Sequence, residues 1–497
     1  MSAINGATWD EEYDAISVGS GIGGLSTAVT AAECGVKALV IEKFDLLGGV
    51  SALSSGQLWP GPNHIAEAAG IPDSAQKAKE YIDHLGQGHA CPKIRDQYFT
   101  RSTECLKYFD ARIGVPMMVI RGLPDYYYPE VAGSAPEGRY VEVIPFPAAK
   151  LGEYKNKVLT SPYGAYYSYS TSTEWVEMQE GGESIGSCIQ RHLANDERCA
   201  GAGMAAALVY AALQRKVEFR TSTEVVELVA EDSRATGVIV RDSSGTRRIR
   251  ARLGVVLATG GYDWNRRFVS SFDALPVAGS MALPTVTGDH ILLCSKLGVI
   301  PMPSRAPAKV SRFDGQEDGL VNWPAWIVFD QSMLNQRGMP PVLPGQPLLE
   351  GMAIEANTLT ELAVKAQIDP EGLETTVERF NKMCSNGVDE DFKRGSNPWG
   401  RLMAGDPKLK NPNMAPISQA PFYAMRLERV TMGVPTAGLP IDGDGRVENS
   451  AGDIISGLYA AGNSAAWGDW GGGFNSGIAG MRGLLYGYLA ALHMTAT

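Results

Sequence analysis

The sequence predicts an α/β protein in which an open, largely parallel-sheet domain is split around an inserted α+β segment. Three observations predict it. Tyr13 to Lys43 reads as strand, tight turn, helix and strand. Two later apolar strands, Gly254 to Tyr262 and Ile455 to Asn463, each run into a turn of small residues. Between them, from about Asp273 to Pro416, prolines become frequent and the strand–helix alternation weakens.

The first stretch carries the most specific pattern. Ala15 to Val18 is a short apolar run, as expected of a strand buried on both faces. Gly19-Ser20-Gly21-Ile22-Gly23-Gly24 contains G-x-G-x-x-G, with Gly19, Gly21 and Gly24 as its spaced glycines. Leu25 to Cys34 is predicted to be helical, and Gly35 to stop the helix. Val36 to Ile41 returns as a second strand, ending at Glu42 and Lys43. The first glycine permits the turn, the second lets a diphosphate approach the backbone, and the third lets helix and strand pack closely. The exposed N–H groups and dipole at the helix start favour phosphate. Glu42 stands where an acid can accept hydrogen bonds from ribose hydroxyls. Dinucleotide binding follows from the arrangement, not from the glycines alone.

The next run, Leu47 to Trp59, is rich in glycine and serine and too polar for a core helix. Gly49, Ser51, Ser54 and Gly56 can line a flavin and its diphosphate, which separates a flavin site from an NAD site. Helical spacing is predicted for Ala75 to Leu85, Arg95 to Arg112 and Gly201 to Leu213. His84 and His89 are expected at helix ends or on the surface. Strands are expected at Val217 to Arg220, Glu224 to Glu231, Thr236 to Asp242 and Arg247 to Arg250, with Val226 as a further candidate to bind the cofactor. Ala258-Thr259-Gly260 then reads as a second approach to the same dinucleotide, and Gly462-Asn463 as a third. Gly471 to Ile478, including Gly477, opens the final helix, whose N–H groups would point at a flavin.

Nine tyrosines lie between Tyr126 and Tyr169, about half of the chain's 19. Six prolines between Pro124 and Pro162 break any long helix there. This excursion should be loops and short strands, with phenols able to grip a ring-shaped ketone. In the inserted segment, helices are expected at Asn357 to Lys365 and Pro370 to Ser385, and a solvated acidic turn at Gly387 to Phe392. No metal site is expected.

The formal charge of −11 argues against a nucleic-acid partner, which leaves a basic footprint. Seven scattered cysteines suggest reduced thiols and a cytoplasmic address. The polar start shows no signal-peptide pattern, and no apolar run is long enough to predict a membrane span.

Together these residues resemble the flavoprotein superfamily of fumarate reductases and 3-ketosteroid dehydrogenases, over nearly the whole chain. The 3-ketosteroid Δ1-dehydrogenase branch is the most similar. Asp125-Tyr126-Tyr127-Tyr128-Pro129-Glu130, Val377 to Asn381, Gly387 to Phe392, Pro421 to Ala424 and Gly457 to Asn463 carry the resemblance. It implies a Rossmann-like FAD-binding domain, residues 1–275 and 416–497 with the tyrosine-rich excursion at 120–170. An α+β substrate, or cap, domain at 276–415 would complete a cleft. The FAD would be noncovalent, because members with covalent flavin carry a histidine in the loop after the second strand. No histidine lies between Lys43 and Trp59. The implied chemistry is 1,2-desaturation beside a ketone of a cyclic substrate, a steroid or a smaller ring. An external electron acceptor is expected, such as a quinone, a dye or an electron-transfer protein. Reduction of an activated C=C bond and a non-catalytic flavin-binding protein are the alternatives.

The chain departs from the family where its catalytic groups stand. The cap run that carries the family's tyrosine base is missing from Lys296 to Asp330, and no tyrosine occurs from Asp263 to Phe422. The family's C-terminal tyrosine is also absent, from Trp467 to Phe474. Tyr127 matches the family's pocket tyrosine, and the backbone around Gly473 survives. The remaining candidates are Tyr166, from the excursion, and Asp469, a possible base between Trp467 and Trp470.

Overall fold

The computed structural model describes residues 8–162, 166–231, 233–273, 277–303, 313–314, 319–320, 323–339 and 342–496. Tyr163 and parts of the 296–330 run lie outside them. The chain divides into two units. The first comprises 1–126, 131–307 and 430–497, and the second 127–130 and 308–429.

The first unit is built on an eight-stranded sheet. Its strands are β1 (Glu11–Val18), β2 (Ala38–Ile41), β3 (Glu218–Arg220), β4 (Glu224–Glu231), β5 (Arg234–Asp242), β6 (Gly245–Leu257), β7 (Arg446–Glu448) and β8 (Ile454–Ala460). β3, β2, β1 and β6 lie side by side in parallel, with Ile16 opposite Leu39 on one side and Val255 on the other. Arg247 to Arg250 and Gly254 onward, expected as two strands, are one. β6 begins antiparallel to β5 and ends parallel to β8. Gly254 does not break it. A side chain there would clash with the Tyr459 ring, so glycine lets β6 pass close to β8.

Helix α1 (Ile22–Glu33) follows β1, and residues 22–31 of it are buried. It packs against the last helix, α3 (Ile478–Ala496), and against α2 (Ala200–Gln214). The contact needs glycine at two positions of α3. A Cβ at Gly487 would overlap the Gly23 carbonyl oxygen, and one at Gly483 the Ile22 side chain. At this approach Ser26 Oγ donates to the Leu484 carbonyl at 2.5 Å. Both helices are therefore apolar nearly all round, as buried helices are.

The tyrosine-rich excursion holds loops and short strands at Met117–Val119, Val141–Val143 and Phe146–Pro147, but also a 3₁₀ segment at Ala148–Lys157, kinked at Gly152, and a short helix at Tyr166–Tyr169, neither of them expected. His84 lies in the last turn of helix Ala75–Gly86 and is exposed, as is His89.

The second unit holds a three-stranded antiparallel sheet. Its central strand, Phe422–Arg426, lies between Trp326–Asp330 and Ile354–Ala356. Helices Leu359–Ala366 and Pro370–Asn386 cover it through Leu362, Ala363, Leu373 and Val377. The acidic turn after the second helix is less solvated than its composition suggests. Asp389 is buried, because its carboxylate accepts the N–H groups of Asp391 and Phe392 and pairs with Arg394 at 2.9 Å. Among the described residues no cluster could hold a metal ion. No helix of the described residues is long and apolar enough to cross a membrane.

Candidate functional site

Four distant segments of the first unit converge on the N-terminus of α1. Gly19 has φ of +108°, and a Cβ on it would overlap the Ala258 carbonyl. Gly24 lies against the Gly19 carbonyl in the same way. Gly21 caps α1 without a side-chain bond, and no acidic residue sits in the first turn. Gly49 approaches Gly21, whose Cα stands 3.3 Å from where a Cβ of residue 49 would be. Ser51 Oγ accepts from the Ile22 N–H at 3.1 Å. On the far side Ala461 and Gly462 face Gly23. Segments 19–24, 48–53, 258–260 and 461–464 thus form one cradle.

Glu42 organises the cradle's polar end. It accepts from the Ser20 N–H at 2.8 Å, the Ser20 hydroxyl at 2.6 Å and the Phe44 N–H at 2.8 Å. Ser20 Oγ in turn accepts from the Gly48 N–H at 3.0 Å. Burial pushes the Glu42 carboxyl above its ordinary range, against these hydrogen bonds. Lys43 points its ammonium at Asp289 (3.1 Å) and Glu224 (3.2 Å). Burial opposes that charge, and the two carboxylates outweigh it, so Lys43 is held above its usual range.

The other predicted binding residues are spread over three places. Thr259, Gly260, Gly462 and Asn463 lie on the cradle. Asn463 Nδ2 donates to the Gly433 carbonyl, while its buried Oδ1 has no partner among the described residues. Val226 stands at a bulge of β4, between Val225 and Glu227. Ser54, Gly56, Gly477 and Ile478 do packing work. Ser54 Oγ donates to the Ser51 carbonyl and accepts from the Gly56 N–H. Gly56 lies against Ala200, and Gly477 against Leu58 and Trp59.

The C-terminal turn, 466–473, is held by a buried ion pair. Arg482 Nε lies 2.8 Å from both Asp469 oxygens, and its Nη2 donates to the Ala466 carbonyl at 2.6 Å. Asp469 Oδ2 also accepts from Tyr486 Oη at 3.0 Å, and Oδ1 from the Trp470 N–H at 3.1 Å. Burial first, and then the Asp469 charge, push the Tyr486 phenol well up, so it stays a donor. Arg482 stacks over the Trp467 ring, and Trp470 packs edge-on to Trp59 and Tyr98. Asp469 is therefore engaged by chain donors on both oxygens. That gives it the work of holding the turn instead of the base role expected from its flanking tryptophans. Gly473 likewise spends its N–H on the Trp470 carbonyl at 2.9 Å.

The remaining catalytic candidates sit elsewhere. Tyr127 belongs to the second unit and is 41% exposed. Tyr166 begins the short helix Tyr166–Tyr169 of the first unit. Ahead of Tyr127, Asp125 is buried and takes hydrogen bonds from Trp59 Nε1, Arg139 and the Ala135 N–H. Asn475 fixes Tyr126 from the other side, accepting its N–H at 3.2 Å. The Tyr126 and Phe474 rings lie 6.2 Å apart, and Phe474 is exposed.

Sequence reasoning missed Ser20, His290, Ser464, Asn475 and Arg482. Arg482 had a signal, a lone charge in the apolar final helix. His290 had none, since its role depends on Thr259, 31 residues away in sequence.

The donor set suits a dinucleotide. The glycine-lined start of α1, with no acidic residue in its first turn, offers N–H groups to phosphate, and Ser51 closes over the first of them. A family model described as FAD binding domain matches residues 14–302 and 307–478. The chain is 31% identical to 3-oxosteroid 1-dehydrogenase of Mycolicibacterium smegmatis, over 98% of each. It is 30% identical to 4-oxocyclohexanecarboxylate 2-dehydrogenase of Sinomonas cyclohexanicum, over 91% of this chain and 87% of that one. The structure of 3-ketosteroid Δ1-dehydrogenase from Sterolibacterium denitrificans, in complex with 1,4-androstadiene-3,17-dione, superposes with a TM-score of 0.86. That pair is 28% identical, covering 98% of this chain and 100% of that one.

Proposed function

We propose a reaction from one premise: this chain belongs to the FAD binding domain family, whose model spans most of its length. It is an FAD-dependent oxidoreductase. The reaction is introduction of a C=C bond next to the carbonyl of a cyclic ketone, either a 3-ketosteroid or a smaller ring. The observation that carries this reading is the near full-length similarity to two ketone dehydrogenases whose names specify a six-membered ring ketone in ring systems of very different size.

When bound, FAD supplies the two-electron acceptor for the β-hydrogen, which leaves as hydride. The chain's own residues do the rest. The α1 N-terminus holds the diphosphate by N–H groups and dipole. Glu42 accepts from a ribose hydroxyl. The 466–473 turn, locked by Asp469 and Arg482, carries Phe474, whose exposed ring beside Tyr126 offers an apolar surface to a ring substrate. The α-proton is acidified by the ketone and needs a base within hydrogen-bond reach. We assign the proton-handling phenol to Tyr127 or Tyr166, because Asp469 and the Gly473 N–H are engaged within the turn. The cofactor is noncovalent in this reading, supported by the absence of histidine from Lys43 to Trp59. The acceptor that reoxidises it is external. A cytoplasmic location is supported by seven unpaired cysteines.

The test is anaerobic mixing of the oxidised protein with saturated cyclic ketones and 3-ketosteroids, reading flavin absorbance. Bleaching by a ketone is expected. If ketones leave the flavin oxidised while enones reoxidise the chemically reduced protein, the reaction runs the other way. Denaturation with acid should release the flavin into the supernatant. Tyr127→Phe and Tyr166→Phe separate the two phenols: the one that handles the proton should lose turnover at unchanged FAD content.

A further inference from the structure

Asn475 follows Phe474 in the loop that leads into α3, and the two side chains face opposite ways. The Phe474 ring is exposed, and the Asn475 side chain is fully buried. A buried amide needs partners at both of its ends. Oδ1 accepts from the Tyr81 hydroxyl at 2.9 Å and from the Tyr126 N–H at 3.2 Å. Nδ2 donates to the Tyr140 hydroxyl at 2.8 Å and to the Ser476 carbonyl at 3.3 Å. Two of these partners fix which way the amide points. A backbone N–H only donates, so Oδ1 faces Tyr126; a carbonyl only accepts, so Nδ2 faces Ser476.

These bonds draw together parts of the first unit that are far apart in sequence. Tyr81 lies in helix Ala75–Gly86, Tyr126 opens the tyrosine-rich excursion, and Tyr140 immediately precedes strand Val141–Val143. The next residue, Ser476, donates to Gln57 Oε1 at 2.5 Å, in the same glycine- and serine-rich run that supplies Ser51 to the cradle. The consequence is felt at the surface. The half-buried Tyr126 ring lies 6.2 Å from Phe474, and Phe474 lies 6.3 Å from the Trp467 ring. Three aromatic rings stand side by side, and the backbone of the first is tied to the residue after the second.

We infer that Asn475 is a positioning residue for the ring substrate, holding Tyr126 against Phe474 so that their rings offer one apolar face. Asn475 itself does not touch the substrate. Aromatic rings grip a ligand through contact area and geometry, so a displaced Tyr126 weakens the grip. The face supplies neither proton nor hydride, so the loss falls on ketone affinity and not on the limiting rate of flavin bleaching. The inference rests on the reading above in taking a cyclic ketone as the ligand.

The test is a double-mutant cycle on the flavin-loaded, full-length chain. The flavin is kept photoreduced, so a saturated 3-ketosteroid or a 4-substituted cyclohexanone binds without reacting, and tryptophan fluorescence reads the titration. Asn475→Leu keeps the branched shape of the side chain but orphans the Tyr126 N–H, and should bind the ketone about tenfold more weakly. Tyr126→Ala should lose about as much, and adding Asn475→Leu to it should cost less than about twofold more, because no ring is left to place. Asn475→Asp still accepts from Tyr126 and Tyr81, and the Tyr140 hydroxyl can turn to donate to it, so its affinity should stay within about twofold of the wild type. Losses that multiply in the double variant, or unchanged affinity in Asn475→Leu, overturn the inference and leave Asn475 a residue that only holds the fold. Should Asn475→Leu not fold, Tyr140→Phe runs the same cycle. It frees the Nδ2 end of the amide at nearly constant volume, and a loss of about threefold is expected, absent in the Tyr126→Ala background. No loss in Tyr140→Phe overturns the inference. Non-additive losses in a protein whose oxidised flavin no ketone bleaches would sink the proposed reaction alone. Bleaching by a ketone together with multiplying losses would sink the inference alone.

Discussion

The cradle and the C-terminal turn are built by different physics. At the start of α1, glycines, hydroxyls and one acid bring strands and helix together through hydrogen bonds and close backbone contact. At the 466–473 turn, a guanidinium and a carboxylate are buried together among tryptophans and tyrosines, more than ten residues apart in sequence. The first is a close fit of backbone in which Gly19 and Gly24 leave no room for an added atom. The second is an electrostatic lock that tolerates no removed partner. The difference teaches where each should fail.

The largest effect is expected at the lock. Arg482→Met strands the Asp469 charge in the core and should cost about 3–5 kcal/mol, read by urea unfolding. Adding Asp469→Asn should restore part of the loss. If Arg482→Met costs under about 1 kcal/mol, the ion pair is not what holds the turn.

At the cradle, Gly24→Ala drives a methyl into the Gly19 carbonyl. A loss of about 3 kcal/mol, the top of the usual overpacking range, should accompany disappearance of bound flavin absorbance. Retained flavin at full stability would mean that the turn can open without losing its ligand.

His290 connects the cradle to acid. Its folded pKa lies below the ordinary histidine value, so the unfolded chain binds more protons between about pH 6.5 and about 3. Stability from this residue is complete above about pH 6.5 and is lost as pH falls. From neutrality to pH 5 the loss should be about 2 kcal/mol, and His290→Phe should flatten that limb of the profile. Parallel profiles for both proteins would refute it.

The smallest effect belongs to the α1–α3 contact. Ser26→Ala removes the donor to the Leu484 carbonyl and should cost about 1 kcal/mol, visible as a modest shift of the melting midpoint. A loss as large as at the ion pair would put this contact in the same class as the lock.

Much of the first unit was legible in sequence because its signals are local. β1, α1, β2 and Glu42 follow one another within 32 residues, and each is marked by periodicity, a glycine or a terminal acid. β6 was read as two strands because its pairing changes partner midway, and that change is set by β5 and β8, not by its own residues. Asp389 was read as solvated because composition cannot show three N–H groups folding back onto a carboxylate. Asp469 was placed among aromatic rings correctly, but the cation that answers it sits 13 residues on, in a helix that reads as apolar.

By itself the sequence determined the glycine turn, the acid at the end of the second strand, and the family to which they belong. Those features rest on backbone conformations that few residues besides glycine adopt, and on spacings within a single βαβ unit. Tertiary structure alone decided which charges are paired, how deeply His290 is buried, and which glycines serve packing. Such properties arise where segments hundreds of residues apart meet and water is excluded, and no local pattern encodes that meeting.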